Sequence, residues 1–539
     1  MDTKKKSVAI IGAGPSGLAA CKHALAKGFR PVVFESAAAV GGVWRRTLAS
    51  TRLQTPASAY RFSDFPWPAD VAGGPPFPRH DQVLEYLAAY ARRFGVLERV
   101  RFRSKVLAAR YVGPSEEEVA AWERWSGNGE AFGDGTGQWH LTVRHGDCDG
   151  DGEPESETGT KTYRFDFVIL CVGRYGVTKI PAFPDGRGPE VFKGQVLHSM
   201  EYSRMAHADA AELVRGKRVA VVGAGKSAMD TVAQCAELNG SVFPCTMVYR
   251  SAHWMMDPQL IRLMKFVSLS STRLAELMVH KPEEGFALSL LATILTPLRW
   301  LVFKLTEAYV KANIPMQKHR TVPDYSLDRS SLGWRVGTLP EGFYGRVDDG
   351  SAVLRRCDAF AFCADGLVLD GGESGGVVGA DVVILDTGFD PDGPLRDVFA
   401  SPQHGEIVVA AAAVLPLYRH CVHPRIPQMA VVGYAESGSS VYPYEMMAKW
   451  VAHLLDGAVR LPGVADMERS VAAWVRWGRW ARRSSGGFFL KSCIAAVTTW
   501  YHDQLCRDMG HRAWRKRPHA GLLAEWLQPY GPTDYAGIQ

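Results

Sequence analysis

Two apolar runs in this chain each end in a glycine-rich turn and then give way to a helical pattern. No other feature restricts the possible folds as tightly. The first unit is Val8 to Ile11, then Gly12-Ala13-Gly14-Pro15-Ser16-Gly17, then a helical pattern from Leu18. The second is Val219 to Val222, then Gly223-Ala224-Gly225-Lys226-Ser227-Ala228. Strand, turn and helix in that order open a βα unit whose glycines let the backbone turn tightly and approach a pyrophosphate. The helix N-terminus supplies free N–H groups and partial positive charge to the anion. Ala228 keeps a small residue where the second helix meets its sheet. The expected fold class is α/β, with two Rossmann-like dinucleotide-binding domains.

The next strands make the two sites unequal. Pro31 to Phe34 ends in Glu35, whose carboxylate can accept hydrogen bonds from ribose hydroxyls and repels a 2'-phosphate, so this site suits FAD or NAD. Thr246 to Tyr249 ends in Arg250, whose guanidinium can grip a 2'-phosphate. Such charge-assisted bonds contribute roughly 1.5–3 kcal/mol, which favours NADPH over NADH. The competing reading of Arg250 is an exposed arginine at a strand end.

At 539 residues and 47% hydrophobic, the chain is long enough for two or three domains with substantial cores. A net charge of +6, spread along the chain, does not argue for nucleic-acid binding. The ten cysteines form no CxxC pair, and no secretory apolar region follows Lys4-Lys5-Lys6, which points to a reducing, intracellular setting. The longest apolar stretch, Phe286 to Leu298, is interrupted by Pro297 and followed by Arg299. It is expected to be too short to span a bilayer. With Trp300 to Phe303 it reads as a buried or interfacial helix pair, with a membrane-surface role as the alternative.

Residues 1–190 are expected to form the first part of one nucleotide domain, 191–345 the second nucleotide domain with a helical insertion, and 346–539 the return to the first domain plus a helical tail. The first domain is thus discontinuous. Within it, Gln82 to Phe94 is strongly helical, and strands Trp139 to Arg144 and Tyr163 to Cys171 bracket a polar insertion. That insertion contains Asp147-x-Asp149-x-Asp151-Gly152, the opening of a calcium loop, but Thr158 stands where the closing glutamate belongs. It reads as a hairpin tip, and no metal site is expected. Trp474, Trp477 and Trp480 crowd one helix face, expected to pack on the body, with a membrane or partner surface as the alternative.

Just ahead of the second turn stands Phe192-x-Gly194-x3-His198-x3-Tyr202. With it come Gly41-Gly42-x-Trp44, Phe62-Ser63-Asp64-Phe65-Pro66, Pro78-Arg79-His80 and Asp386-Thr387-Gly388-Phe389. On these residues the chain resembles the flavin-containing monooxygenases, which are class B flavoprotein monooxygenases. The tail from Tyr501 to Gly510 looks like that of the longer plant members. Among these the chain is most similar to the subgroup of systemic immunity that N-hydroxylates pipecolic acid. The resemblance implies FAD at Gly12 to Gly17, Glu35, Gly41, Gly42, Trp44 and Asp386 to Gly388. It implies NADPH at Gly223 to Ala228 and Arg250.

The activity implied is reduction of FAD by NADPH, then transfer of one oxygen atom from O2 through a flavin hydroperoxide to a soft nitrogen or sulfur, with water as the other product. Related Baeyer–Villiger enzymes usually close the Phe192 to Tyr202 motif with tryptophan, so Tyr202 favours attack on nitrogen or sulfur. Gln54 stands where many members place an asparagine near the flavin. It either hydrogen-bonds the reacting groups, as a catalytic residue, or lines the pocket. The partners implied are a small-molecule substrate and O2, in the cytoplasm or at the endoplasmic-reticulum surface. Two other readings stay open: an indole-3-pyruvate monooxygenase of auxin synthesis, and a signalling protein that binds FAD and NADPH without oxygenating and leaks peroxide. Neither the substrate nor the oligomeric state is legible.

Overall fold

The computed structural model describes residues 5–72, 77–146, 159–258, 271–371 and 376–539. Five parallel strands form the first sheet, in the order Met429–Val431, Phe167–Leu170, Val8–Ile11, Val32–Phe34 and Val100–Arg101. A second parallel sheet runs Ala352–Arg356, Cys245–Tyr249, Val219–Val222, Val382–Leu385 and Gln195–His198. The glycine-rich turns leave the central strand of each sheet, as the fold class requires. The calcium-loop-like segment from Asp147 to Gly152 lies outside the described residues.

Each central strand is buried on both faces, because alternate side chains enter different cores. Val8 and Ile10 pack with the helices Pro15–Ala26, His80–Arg93 and Val441–Leu455. Ala9 and Ile11 pack with Trp139, Leu141 and Phe165 of an antiparallel sheet, Ser104–Val112, Gln138–His145 and Thr160–Phe165. In the second unit Val219 and Val221 face the helix Lys226–Asn239, while Ala220 and Val222 meet Phe362, Leu367 and Leu369.

Four expectations are corrected. The run Tyr163 to Cys171 is two strands of different sheets, broken at Asp166. There the Asp166 carboxylate accepts hydrogen bonds from Ser7 N at 2.8 Å, Ser7 Oγ at 2.7 Å and Lys6 Nζ at 3.1 Å. The domain boundary at 345 is too early. Ala352–Arg356 and Val382–Leu385 complete the second sheet, the latter burying all four residues between two parallel neighbours. The chain crosses between the units at Val177–Thr178 and returns at Phe389–Asp390, and these two crossings pair antiparallel. Third, Pro297 does not divide the apolar stretch: Phe286–Asn313 is one helix of 28 residues. Fourth, that helix is long and apolar enough to cross a membrane by length and composition, where the sequence reading held it too short. Trp474 and Trp477 are buried in the helix Val464–Ser484, and Trp477 Nε1 donates to His280 O at 2.7 Å.

A buried charged cluster fixes the Phe62 to Pro66 segment. Glu445 Oε2 accepts from Ser63 N at 2.7 Å, while Lys449 Nζ donates to Ser63 Oγ at 3.0 Å and to Tyr535 O at 2.8 Å. Lys22 Nζ bridges Asp64, at 2.6 Å, and Glu445, at 3.7 Å. Burial pushes the Glu445 carboxyl up, but Lys449, His23 and Lys22 together bring it down to about 2. Glu445→Ala takes from desolvated Lys449 its main counter-charge and leaves Asp64 as the remaining one. Breaking a buried pair in this way costs about 3–5 kcal/mol. The expected result is a clear drop in unfolding midpoint of the FAD-loaded protein in denaturant titration. An unchanged midpoint would show that Ser63 and Tyr535 suffice to hold the lysine.

Candidate active site

The first turn is built from backbone approaches that only glycine permits. Gly12 has φ +103°, and a Cβ there would sit 2.5 Å from Cys171 O. A Cβ on Gly42, at φ +58°, would sit 3.0 Å from Gly14 Cα. The segment Gly42–Arg45 is thereby laid directly on the turn, and Gly41 N donates to Ala13 O at 3.1 Å. Trp44 closes this segment from outside, its Nε1 donating to Tyr60 Oη at 2.9 Å.

Glu35 is buried, and its carboxylate braces the turn. Oε2 accepts from Ala13 N at 2.7 Å and Oε1 from Ala37 N at 2.8 Å. The helix Pro15–Ala26 begins with no side-chain cap and no acid in its first turn, so its N-terminal N–H groups face an open site. Gly433, at φ +105°, brings the end of the Met429–Val431 strand against Ser16, where a Cβ would lie 2.9 Å from the serine Cβ. This arrangement fits the pyrophosphate and ribose of a dinucleotide.

The second turn repeats the design. Gly223, at φ +150°, leaves no room for a Cβ against Asp386 O, and the helix Lys226–Asn239 starts at Gly225 without a side-chain cap. Ala228 is fully buried at the helix–sheet contact. Ala224 lines the turn, Ser227 O accepts from Thr231 Oγ1 at 3.0 Å, and Lys226 is paired with Asp230.

Asp386 follows the second-sheet strand Val382–Leu385 and its carbonyl lies against Gly223 of this turn, while Thr387 and Gly388 continue into the interdomain crossing. The expected place of Asp386 at the first nucleotide turn is therefore corrected. The sheet order places Val382–Leu385 beside Val219–Val222, a neighbourhood that sequence spacing does not reveal. Burial pushes the Asp386 carboxyl up to about 7, with Ser199 opposing and Asp230 adding to the shift.

Arg250 is exposed at the end of Cys245–Tyr249. The structure gathers two further guanidiniums around it that sequence reading missed. Arg356 Nε donates to Arg250 O at 3.2 Å from the neighbouring strand. Arg335 lies close enough that Arg250 contributes to lowering its pKa, after burial, and it stacks on Phe488 at 5.0 Å. Arg356 is also paired with Asp324 through Nη2 at 3.2 Å, so Arg250 and Arg335 are the two guanidiniums that suit a phosphate dianion.

The Phe192 to Tyr202 motif performs docking. Phe192 packs on Phe362 with ring centroids 5.9 Å apart, and Gly194 has no room for a Cβ against Asp381 O. His198 Nδ1 accepts from Met200 N at 3.1 Å, so Nε2 carries the proton and donates to Gly388 O at 3.1 Å. Burial lowers the His198 pKa, consistent with a neutral ring. Tyr202 is fully buried beside Cys235 and Cys245. His198 thus anchors the Thr387-Gly388 loop, where Thr387 Oγ1 donates to Lys179 O at 2.5 Å across the interdomain crossing.

Gln54 is exposed, and its Oε1 accepts from Thr338 N at 3.2 Å. It bridges the first unit to the strand pair Trp254–Met256 and Val336–Thr338 of the second unit. Next to it Thr55 Oγ1 donates to Gly438 O at 2.7 Å. A cavity of about 150 Å³ opens at Gly438, lined by Ser58, Trp334, Ser437, Ser439 and Tyr442 and by Pro529 to Pro532 of the C-terminal segment, and Gln54 and Thr55 are not in its lining.

With this geometry in place, comparison with known proteins is informative. Residues 5–282 match the family described as Flavin-binding monooxygenase-like. The chain is 35% identical over 532 residues to a probable flavin-containing monooxygenase 1 of Arabidopsis thaliana, covering 98% of this chain and 96% of that protein. It is 33% identical over 511 residues to a putative flavin-containing monooxygenase 2 of the same plant, covering 93% and 96%. Among solved structures, a steroid monooxygenase bound to NADP superposes with TM-score 0.62 at 19% identity, over 94% of this chain and 98% of that one. The S-allyl-L-cysteine S-oxygenase of Allium sativum gives TM-score 0.52 at 18% identity, over 96% and 93%. These two structures share the fold. The chain belongs to the flavin-containing monooxygenase family, as a flavin monooxygenase whose cofactors are FAD and NADPH.

Proposed function

We propose that this enzyme transfers one oxygen atom to a soft nitrogen or sulfur nucleophile of a small amino-acid-like substrate, with N-hydroxylation of pipecolate in plant systemic immunity as the specific reading. The observation that carries it is the small cavity at Gly438, whose lining of serines, Thr498, Trp334, Tyr442 and Tyr530 matches a compact polar substrate with an apolar ring. The named Allium sativum relative in fold, an oxygenase of S-allyl-L-cysteine, acts on a molecule of this class.

The residue roles follow from position. Gly12 to Gly17, with Gly41, Gly42 and Trp44, hold the FAD pyrophosphate against an uncapped helix start, while Glu35 fixes the turn and excludes a 2'-phosphate. Gly223 to Ala228 hold the NADPH pyrophosphate, and Arg250 and Arg335 receive its 2'-phosphate. Bound FAD, once reduced, supplies the oxygen chemistry. Gln54 spans the cleft between the units, and His198 holds the crossing loop in register. Together they hold the two units, and with them the two nucleotides, in a fixed relative orientation.

Mass spectrometry of products from pipecolate, an aliphatic thioether and indole-3-pyruvate tests the reading directly. Oxygenated pipecolate or thioether is expected. Product from indole-3-pyruvate alone, or stoichiometric peroxide with every compound, would overturn it. For Arg250→Ala, the Michaelis constant for NADPH is expected to rise about tenfold or more, with that for NADH little changed, since one charge-assisted contact contributes roughly 1.5–3 kcal/mol. Equal effects on both nucleotides would remove the arginine from 2'-phosphate binding. Asp386 is neutral below about pH 7 and anionic above it, so its charge opposes a bound pyrophosphate only on the alkaline side. NADP+ affinity measured by fluorescence titration is expected to weaken as pH rises through 7, and Asp386→Asn is expected to flatten that profile.

A further inference from the structure

The small cavity at Gly438 is closed by parts of the chain that lie far apart in sequence. Ser58 and Ala59 come from the first unit, and Ser439 Oγ donates to Ala59 O. The loop Ser437-Gly438-Ser439 follows Gly433, which lies against Ser16 of the first glycine-rich turn, so the cavity adjoins the FAD site. Trp334 covers Gly438, where a Cβ would lie 2.8 Å from the indole ring. The tryptophan has φ +56°, a conformation that bulky side chains rarely adopt and that persists only where the surroundings enforce it. The remaining side is supplied by residues 529–532, close to the end of the chain.

This last wall is fastened to the helical insertion of the second unit. Tyr530 N donates to Ser271 O at 2.9 Å. Arg273, which opens the helix Arg273–Leu277, spreads its guanidinium over three groups of the tail. Nη1 and Nη2 donate to the two Asp503 carboxylate oxygens at 2.6 and 2.9 Å, Nε donates to Glu525 Oε1, and Nη2 donates to Tyr530 Oη at 3.2 Å. Asp503 and Glu525 are buried in the helices Thr498–Asp508 and Arg517–Leu527. One planar fork thus ties two tail helices and Tyr530 to the insertion, which an ammonium group cannot do at once. The Tyr530 hydroxyl is taken up by this network, donating to Glu525 Oε1 and accepting from Arg515 N at 3.0 Å.

Gly531 differs from the glycines of the nucleotide turns. Its φ of −152° is extended backbone open to any residue, and its N–H donates to Asp534 Oδ2 at 2.8 Å. A Cβ there would meet no atom within 4 Å. Neither backbone conformation nor packing requires glycine at this position. Its missing side chain leaves room in a cavity of only about 150 Å³. We propose, resting on the reading of this cavity as the substrate's site, that residues 529–532 form its size-limiting wall, with Gly531 as the specificity-determining position and Arg273 as the residue that positions it.

The test uses the full-length, FAD-loaded enzyme and methyl alkyl sulfides from ethyl to octyl, with sulfoxide measured by mass spectrometry. Gly531→Ala, Gly531→Val and Gly531→Phe are expected to raise the Michaelis constant in that order, by about tenfold or more for Gly531→Phe, and more steeply the longer the alkyl chain. FAD content is expected to stay constant across the series. Arg273→Lys keeps the charge and loses the fork. It is expected to narrow the difference in Michaelis constant between octyl and ethyl sulfides, an effect that lost stability alone does not produce. Constants that stay the same across the Gly531 series overturn the inference. Ser58→Phe, from the first unit's side, separates the two ways of failing. If it raises the Michaelis constant and Gly531→Phe does not, the cavity holds the substrate and the tail does not limit it; if neither does, the cavity is not the substrate's site.

Discussion

The structure depends on two places where backbone meets backbone with no side chain between. At the first, Gly12 lies against Cys171 O and Gly14 against Gly42; at the second, Gly223 lies against Asp386 O. A Cβ on Gly12 or Gly223 would push its turn away from the sheet, and one on Gly42 would press on Gly14. The turn could then no longer direct the uncapped helix start at a phosphate. In both units the strand contributing the opposing carbonyl comes from far along the chain. The glycines therefore serve cofactor binding and sheet assembly at once.

Around these contacts the molecule is organised as two sheets joined by two crossings. The pairing of Val177–Thr178 with Phe389–Asp390 makes the crossings a single antiparallel element. His198 and Thr387 tie that element to the second sheet and to Lys179. This gives the Phe192 to Tyr202 motif a physical role that its recurrence as a pattern does not state. It places the loop that sets one nucleotide domain against the other, and Tyr202 contributes as a core side chain.

Most of the fold and much of the candidate site were legible in the sequence. Val8 to Ile11 and Val219 to Val222 are continuous apolar runs because both faces of a parallel strand are covered, and each is followed by local turn chemistry that glycine alone satisfies. Glu35 and Arg250 could be ranked because charge sign at a strand end is a local property. Arg335 and Arg356 could not, since they reach Arg250 only through sheet order and the packing of distant segments. Asp386 was misplaced for the same reason. Its motif was recognisable, but which sheet its strand would join was not.

The sequence by itself determined the fold class, the two glycine-rich strand–turn–helix units and the flavin monooxygenase family. These rest on residues within one strand–turn–helix unit or one short motif, where spacing along the chain is also spacing in space. The tertiary structure alone decided where the domains divide, which turn Asp386 adjoins, the approach of Arg335 and Arg356 to Arg250, and that Phe286–Asn313 is one helix with its apolar stripe turned outward. Those outcomes depend on which surface each element presents to partners far off in sequence. Apolar periodicity marks a helix face, and only packing shows whether that face is covered.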